Sequence, residues 1–147
     1  MVKVNISAVI RRKKDLVYQA LKELDRFPAF LRDVKEIFIR SLNGNLIISD
    51  WKVDIDRTPI EWRQETLLDE ESHRIIAFRM IEGDYERYEG KWVLEEQGDE
   101  TTRVDLHVEF DWGLPVAERF VGGVLEEKAR RSVRGMFFAL RKELHRK

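Results

Sequence analysis

The chain of 147 residues contains no cysteine, so disulfides, thiolate metal ligands and cysteine nucleophiles are all excluded. Histidine is nearly as scarce. His73, His107 and His145 stand in no metal-ligand spacing, so solvated histidines are expected and no metal is assigned. No apolar run approaches the length that spans a bilayer. Met1-Val2-Lys3-Val4 opens in strand-like alternation and not in the basic and apolar regions of a signal peptide, which makes the cytoplasm the expected compartment. An excess of one charge is lacking too: 27 basic residues against 28 acidic leave a net charge of -1, mixed along most of the chain, and this names no partner. There is no Gly-x-Ser-x-Gly elbow, Walker loop or dinucleotide fingerprint, and no cofactor is expected. Asp54 and Asp56 share a strand face but run straight into a turn, which reads as a solvated strand end and not a magnesium site. Asn and Gln are few beside Glu, Lys and Arg, a bias found in heat-adapted proteins.

What is present describes one globular domain over residues 1–147, with 43% hydrophobic and 37% charged residues. The stretch from Pro115 to Arg146 organises it. Val116, Phe120 and Val124, with the neighbouring row Val121, Leu125, Ala129, Val133, Met136, Phe137, Leu140 and Leu144, recur every three or four positions, as one helix face requires. A helix of that length is a rod of ~45 Å and must cross the whole molecule. Pro115 suits its first turn, and Arg141, Lys142, Arg146 and Lys147 place positive charge at the negative end of its dipole. Gly122, Gly123 and Gly135 interrupt the good helix formers, so a helix lying on a sheet is expected over a coiled coil.

Before that helix, Val2, Val4, Ile6, Ala8 and Ile10 alternate with polar residues and predict a strand. Leu16, Val17, Ala20, Leu21 and Leu24 switch to helical spacing, and Pro28 is expected to break that helix and open a shorter one through Phe30 and Leu31. Period two returns in 34–40 and 46–55, around Leu42-Asn43-Gly44-Asn45, where Asn-Gly predicts a type I′ hairpin. Turn-forming clusters cut the remainder into strands 60–68, 73–81, 86–95 and 102–112. Strand, two helices, six strands and a long helix make an α+β domain, in which a curved antiparallel sheet grips the terminal helix.

Alternation assigns the inner face. Val104, Leu106, Val108, Phe110 and Trp112 face the helix, while Arg103, Asp105, His107, Glu109 and Asp111 face water. The same test turns Tyr88, Gly90, Trp92 and Leu94 inward, with Ile60, Trp62, Gln64 and Thr66, and Ile47, Ser49, Trp51, Val53 and Ile55. The run Ile75–Ile81 is apolar on both faces, leaving the side of Arg79 open. The expected inner surface therefore mixes large aromatics with Ser49, Gln64 and Thr66, and with Arg79 in one of the two phases. These polar groups either pair with one another or orient the polar head of an otherwise apolar ligand in a cavity.

Several segments resemble the START and polyketide-cyclase (SRPBCC) superfamily, nearest the branch of coenzyme Q-binding proteins and the bacterial ribosome-association toxin. They are Gly83-Asp84-Tyr85-Glu86-Arg87-Tyr88-Glu89-Gly90-Lys91-Trp92-Val93-Leu94, Phe27-Pro28-Ala29-Phe30-Leu31, Thr102-Arg103-Val104 and Leu125-Glu126-Glu127-Lys128-Ala129-Arg130-Arg131. Arg32-Asp33-Val34 departs from the proline and aromatic segment common in quinone-binding relatives. The resemblance implies a helix-grip fold whose cavity, between sheet and terminal helix, binds or carries a hydrophobic small molecule such as a quinone, an isoprenoid lipid or a polyketide-like compound. Ser49, Trp51, Trp62, Gln64, Thr66, Arg79, Tyr88, Trp92, Phe110, Phe120 and Val124 would line it, and Phe27, Phe30, Gly122 and Gly123 would act at a lid. An aromatase/cyclase-type enzyme using Arg79 or Tyr88 is the alternative. Eight basic residues from Lys128 to Lys147, against the single acid Glu143, could also give a weak footprint for a ribosome or an anionic membrane surface, or form a solvated outer helix face. No sequence-specific nucleic-acid contact is expected, and the protein is a monomer or dimer.

Overall fold

The computed structural model describes residues 2–113 and 124–146, the side chains of Val124 and Leu125 excepted. Its elements are β1 (Val2–Ile10), α1 (Lys14–Lys22), a 3-10 helix (Leu24–Ala29), β2 (Val34–Asn43), β3 (Leu46–Ile55), β4 (Thr58–Leu67), β5 (Ile75–Gly83), β6 (Tyr85–Gly98), β7 (Thr101–Trp112) and α2 (Val124–Arg146). The strands form one seven-stranded sheet in the order β1-β7-β6-β5-β4-β3-β2, antiparallel throughout. Each short connection lays the next strand beside the last, and β1 pairs with β7 to complete a curved sheet. This is the expected α+β helix-grip architecture. The expected helix start at Pro115 lies outside the described residues. No helix among the described residues is long and apolar enough to cross a membrane.

Alternation decides which face is buried. Val4, Ile6, Val104, Leu106, Val108 and Phe110 turn inward from β1 and β7, and α2 covers them with Ala129, Phe137, Leu140 and Leu144, spaced to share one helix face. The Phe137 ring lies parallel to Trp92 with centroids 5.9 Å apart. The far end of α2 is fastened to the end of β1. Arg12 donates to the carbonyl of His145 (2.7 Å), satisfying one of the carbonyls a helix leaves unpaired at its C-terminus. The backbone N–H of Arg11 donates to His145 Nε2 (3.0 Å), and Arg141 to the carbonyl of Val9 (3.1 Å).

Three expectations need correction. The short helix lies upstream of its expected position, at Leu24–Ala29, with Pro28 inside it. A 3-10 helix tolerates proline there because so short an element has few N–H groups to lose. The first hairpin turns on Gly44-Asn45, with Asn43 paired to Leu46. Only the first turn residue, Gly44 at φ 63°, has a positive φ, the II′ pattern and not I′. In β5 it is Ile76, Phe78 and Met80 that face inward, so Arg79 lies on the opposite surface, its side chain 68% exposed and paired with Glu65. The register explains this, because Arg79 stands between Glu65 of β4 and Glu89 of β6.

Two glycines let the sheet bend over its contents. Gly83, at φ 151°, packs so closely that a Cβ would lie 2.4 Å from the Cβ of Trp62. A register shift in the same ladder, between Arg63 and Gln64, adds to the bend. At Gly90 a Cβ would lie 2.3 Å from the carbonyl oxygen of His107 and 2.7 Å from the Phe78 ring. Gly90→Ala should therefore force β6 and β7 apart and displace Phe78. The expected loss is about 1–3 kcal/mol, measured by urea unfolding against the parent protein.

A candidate ligand cavity between sheet and helix

Bulky side chains fill the interface under the C-terminal half of α2, whereas its N-terminal half presents Ala129, Ser132 and Val133. A cavity of about 560 Å³ lies there, within the range of small-molecule sites. Its floor is a run of rings. Trp51 stacks on Trp62 (5.4 Å between centroids, 16° between planes), Trp62 meets Tyr88 (5.1 Å), and Tyr88 stacks on Tyr85 (4.8 Å, 29°). Phe110 stands edge-on to Tyr85 at 5.5 Å. Phe30, Leu31 and Val34 form the side beneath the 3-10 helix, and Val53 and Ile55 extend the floor toward the mouth.

The mouth is polar. Lys128 forms an ion pair with Asp56 across it, holding the Asp56 carboxyl below its ordinary range. Ser132 donates to Asp33 (2.8 Å), and Arg32 and Arg131 complete the rim. These contacts latch α2 to the β3–β4 turn and to the approach to β2.

Trp51, Trp62, Tyr88 and Phe110 line the cavity, as does Phe30 from the expected lid. Phe27 is buried behind Phe30, edge-on to Trp51 at 6.1 Å. Trp92 points inward but lies against Phe137, beyond the cavity. Ser49, Gln64 and Thr66 are inward and buried, but they serve the indoles and do not face the void. Trp51 Nε1 donates to Ser49 Oγ (2.9 Å), Trp62 Nε1 to Gln64 Oε1 (3.1 Å), and Gln64 Nε2 to Thr66 Oγ1 (2.9 Å). Of the two alternatives left open by the sequence, mutual pairing is the one the geometry adopts. Arg79 is outside, and Phe120, Gly122, Gly123 and the Val124 side chain lie outside the described residues.

Sequence reasoning missed Tyr85, which is 7% exposed and faces inward with Tyr88. Strict alternation would put residues three apart on opposite faces. A register shift between Tyr85 and Arg87 absorbs the extra residue. The corner before it is pinned by Asp84, whose carboxylate accepts from Glu61 N–H (2.8 Å), whose own N–H donates to the Glu61 carbonyl (2.9 Å), and whose carbonyl accepts from Gly113 N–H (3.2 Å). Gly83-Asp84 was the available signal.

Burial pushes the phenols of Tyr85 and Tyr88 well above their ordinary value, and for Tyr88 it is the only cause. Neither hydroxyl has a hydrogen-bond partner among the described residues. Trp112, stacked on Tyr85 at 5.0 Å, keeps its indole N–H buried and unpartnered among the described residues. Those residues include no group of three His, Asp or Glu placed to hold a metal ion. In the basic run, Arg130 pairs with Glu126 (2.9 Å) and donates to the carbonyl of Lys3, and Arg146 pairs with Glu143 (2.5 Å).

The sequence matches the family described as polyketide cyclase / dehydrase and lipid transport over residues 10–137. No curated protein matches the chain. Among solved structures, a Thermus thermophilus protein is similar at TM-score 0.86 and 23% identity, covering 97% of this chain and 96% of its own. ZhuI aromatase/cyclase of a Streptomyces species is similar at TM-score 0.84 and 18% identity (98% and 93% covered). A START superfamily protein of Mycobacterium smegmatis is similar at TM-score 0.83 and 12% identity (99% of each chain).

Two outcomes are expected from this geometry. Gln64→Met should leave Trp62 Nε1 and Thr66 Oγ1 without their partner at nearly constant volume. The expected loss is about 1–3 kcal/mol in chemical denaturation. All three tyrosines are held above the ordinary value, Tyr18 through burial and then Glu70. Spectrophotometric titration of the native protein should therefore show no tyrosinate band as pH passes about 10, whereas the denatured chain shows it. Because the folded values are raised, this contribution to stability is full below about pH 10 and is lost as pH climbs above it.

Proposed function

The chain belongs to the polyketide cyclase / dehydrase and lipid transport family, and from that premise we propose that it binds and carries a hydrophobic small molecule in the cavity beneath α2. The observation that carries this reading is the cavity of about 560 Å³ itself, floored by Trp51, Trp62, Tyr85, Tyr88 and Phe110. An isoprenoid lipid, a quinone or a polyketide-like polycycle fits its apolar walls. Transfer of such a ligand from water is favoured by ~25 cal/mol for each Å² of apolar surface removed, before the cost of ordering it.

The second reading, an aromatase/cyclase-type enzyme, is favoured by the likeness to ZhuI and by the family description. In this chain the inward phenols would act as donors positioning a carbonyl. They are held protonated by burial and so are poor bases at neutral pH.

Containment is tested by extracting purified protein with organic solvent and analysing the extract by mass spectrometry. A stoichiometric apolar compound is expected. Val133→Trp, which places an indole in the roof of the cavity, should lower the recovered amount at least about tenfold, because bulk there competes for the same volume. An empty extract, together with a Val133→Trp variant that binds added apolar dyes as well as the parent, would remove the carrier reading.

A further inference from the structure

The two edges of the sheet differ. Along β1, the carbonyls of Lys3 and Val9 accept from Arg130 and Arg141 of α2, so the chain's own helix covers that edge. Along β2, from Glu36 to Asn43, the backbone bonds only to β3 among the described residues. An open edge presents a row of unpaired N–H and C=O groups, which is a template for another strand.

The uncovered strand is complementary to itself. Glu36-Ile37-Phe38-Ile39-Arg40 has an acid at one end, a base at the other, and an aromatic flanked by two isoleucines between them. Laid antiparallel on a second copy with Phe38 on the two-fold axis, it sets Glu36 against Arg40, Ile37 against Ile39 and Phe38 against Phe38. Opposed residues are then both odd-numbered or both even-numbered. Each side chain meets its counterpart on the same sheet face, and outward backbone groups of one copy meet those of the other. Phe38 stands on the solvent face, where it is 56% exposed with the Arg40 guanidinium 5.8 Å from its ring, whereas Ile37 is buried.

The charges beside this stretch are unevenly served within one copy. Asp50 accepts from two guanidiniums, Arg63 (2.9 Å) and Arg40, which hold its carboxyl below the ordinary range, Arg63 most strongly. Glu36 has only Lys52 at 3.7 Å, and Glu61 shares that lysine at the same distance. Arg40 can therefore turn to a second acid while Asp50 keeps Arg63, and the acid that lacks a close base is the one the two-fold brings to it. A net charge of -1 raises no long-range repulsion between copies. Register shifts between Val34 and Glu36 and between Ile39 and Ser41 bend the strand at both ends of this stretch. They confine pairing to five residues and hinder any slipped register.

We propose that β2 is a homodimerisation edge: two copies pair through Glu36–Arg40, antiparallel about a two-fold axis at Phe38, and join their sheets into one. The contact is isologous, so it closes at two copies and leaves no edge for a third. Five residues a side make a small interface, and a reversible dimer with a Kd of about 10–100 µM is expected.

Sedimentation velocity of the whole chain between about 1 µM and about 1 mM spans that constant. The average mass should rise from one chain toward two, and deuterium exchange in Glu36–Arg40 should slow in step with concentration. Phe38→Lys puts like charges on the axis and should raise Kd at least about tenfold. Glu36→Arg and Arg40→Glu should each weaken self-association by about threefold or more, because like charges then face each other at both ends. An equimolar mixture of those two variants should recover it, since every end of the mixed pair sets an acid against a base. These side chains are exposed, so the variants should fold, and the exchange measurement on the parent protein needs none of them. A chain that stays single up to about 1 mM, or a dimer indifferent to Phe38→Lys, would overturn the proposal. So would a mixture that associates no better than its components. Slow exchange in β2 that is independent of concentration would mean that the edge is covered within one chain, and would overturn it too. Each of these results leaves the cavity reading intact.

Discussion

The void depends on a change of side-chain size along α2. Phe137, Leu140 and Leu144 are 3% exposed or less and fix the height of the helix above the sheet, with the Trp92 ring parallel beneath Phe137. The helix is a rigid rod, so its other half is held at the same height, and there the side chains shrink to Ala129, Ser132 and Val133. The floor cannot rise to meet them, because its rings are locked against each other from Trp51 through Trp62 and Tyr88 to Phe110. Space is left where a spacer is tall at one end and the filler is short at the other. Close packing elsewhere is what makes that space persist instead of collapsing.

The same rings impose a polar requirement that sequence patterns do not display. An indole buried in the floor needs an acceptor for its N–H, and Trp51 and Trp62 each take it from the residue two positions along the same strand face, Ser49 and Gln64. Thr66 then completes Gln64. Inward polar residues on a ligand-binding sheet invite assignment to the ligand, but here an i, i+2 spacing of Trp with Ser or Gln marks a self-contained pair.

Much of the architecture was legible because period two is robust wherever a strand runs without interruption. The inward set of β7 and β1 and the faces of β3 and β4 follow from counting alone. Counting fails at irregularities. Tyr85 and Tyr88 share a face only because of the shift between Tyr85 and Arg87, and a residue-by-residue alternation from Tyr88 backwards places Tyr85 in water. Arg79 fails for a different reason: its strand is apolar on both sides, with Ile75 and Ile81 exposed on the outside, so hydrophobicity carries no phase. Charge would have carried it, since Glu65, Arg79 and Glu89 line up across three strands only if all three face out. The helix could be read as to face but not as to contents, because whether a stripe of Ala, Ser and Val seals a core or roofs a void depends on the height set by Phe137 further along.

The two ends of α2 are consequently held by different forces. Of the latches at the mouth, the exposed ion pair of Lys128 with Asp56 contributes little to stability and is weakened further by salt, while the hydrogen bond from Ser132 to Asp33 is half-buried. The opposite end of α2 is held by buried aliphatic and aromatic surface and by the contacts of Arg11, Arg12 and Arg141. The rim carries side chains of both signs, Arg32, Asp33, Asp56, Lys128 and Arg131, while the floor is built of rings, so polarity falls from the mouth inward and an uncharged apolar surface loses least hydration at the inner end.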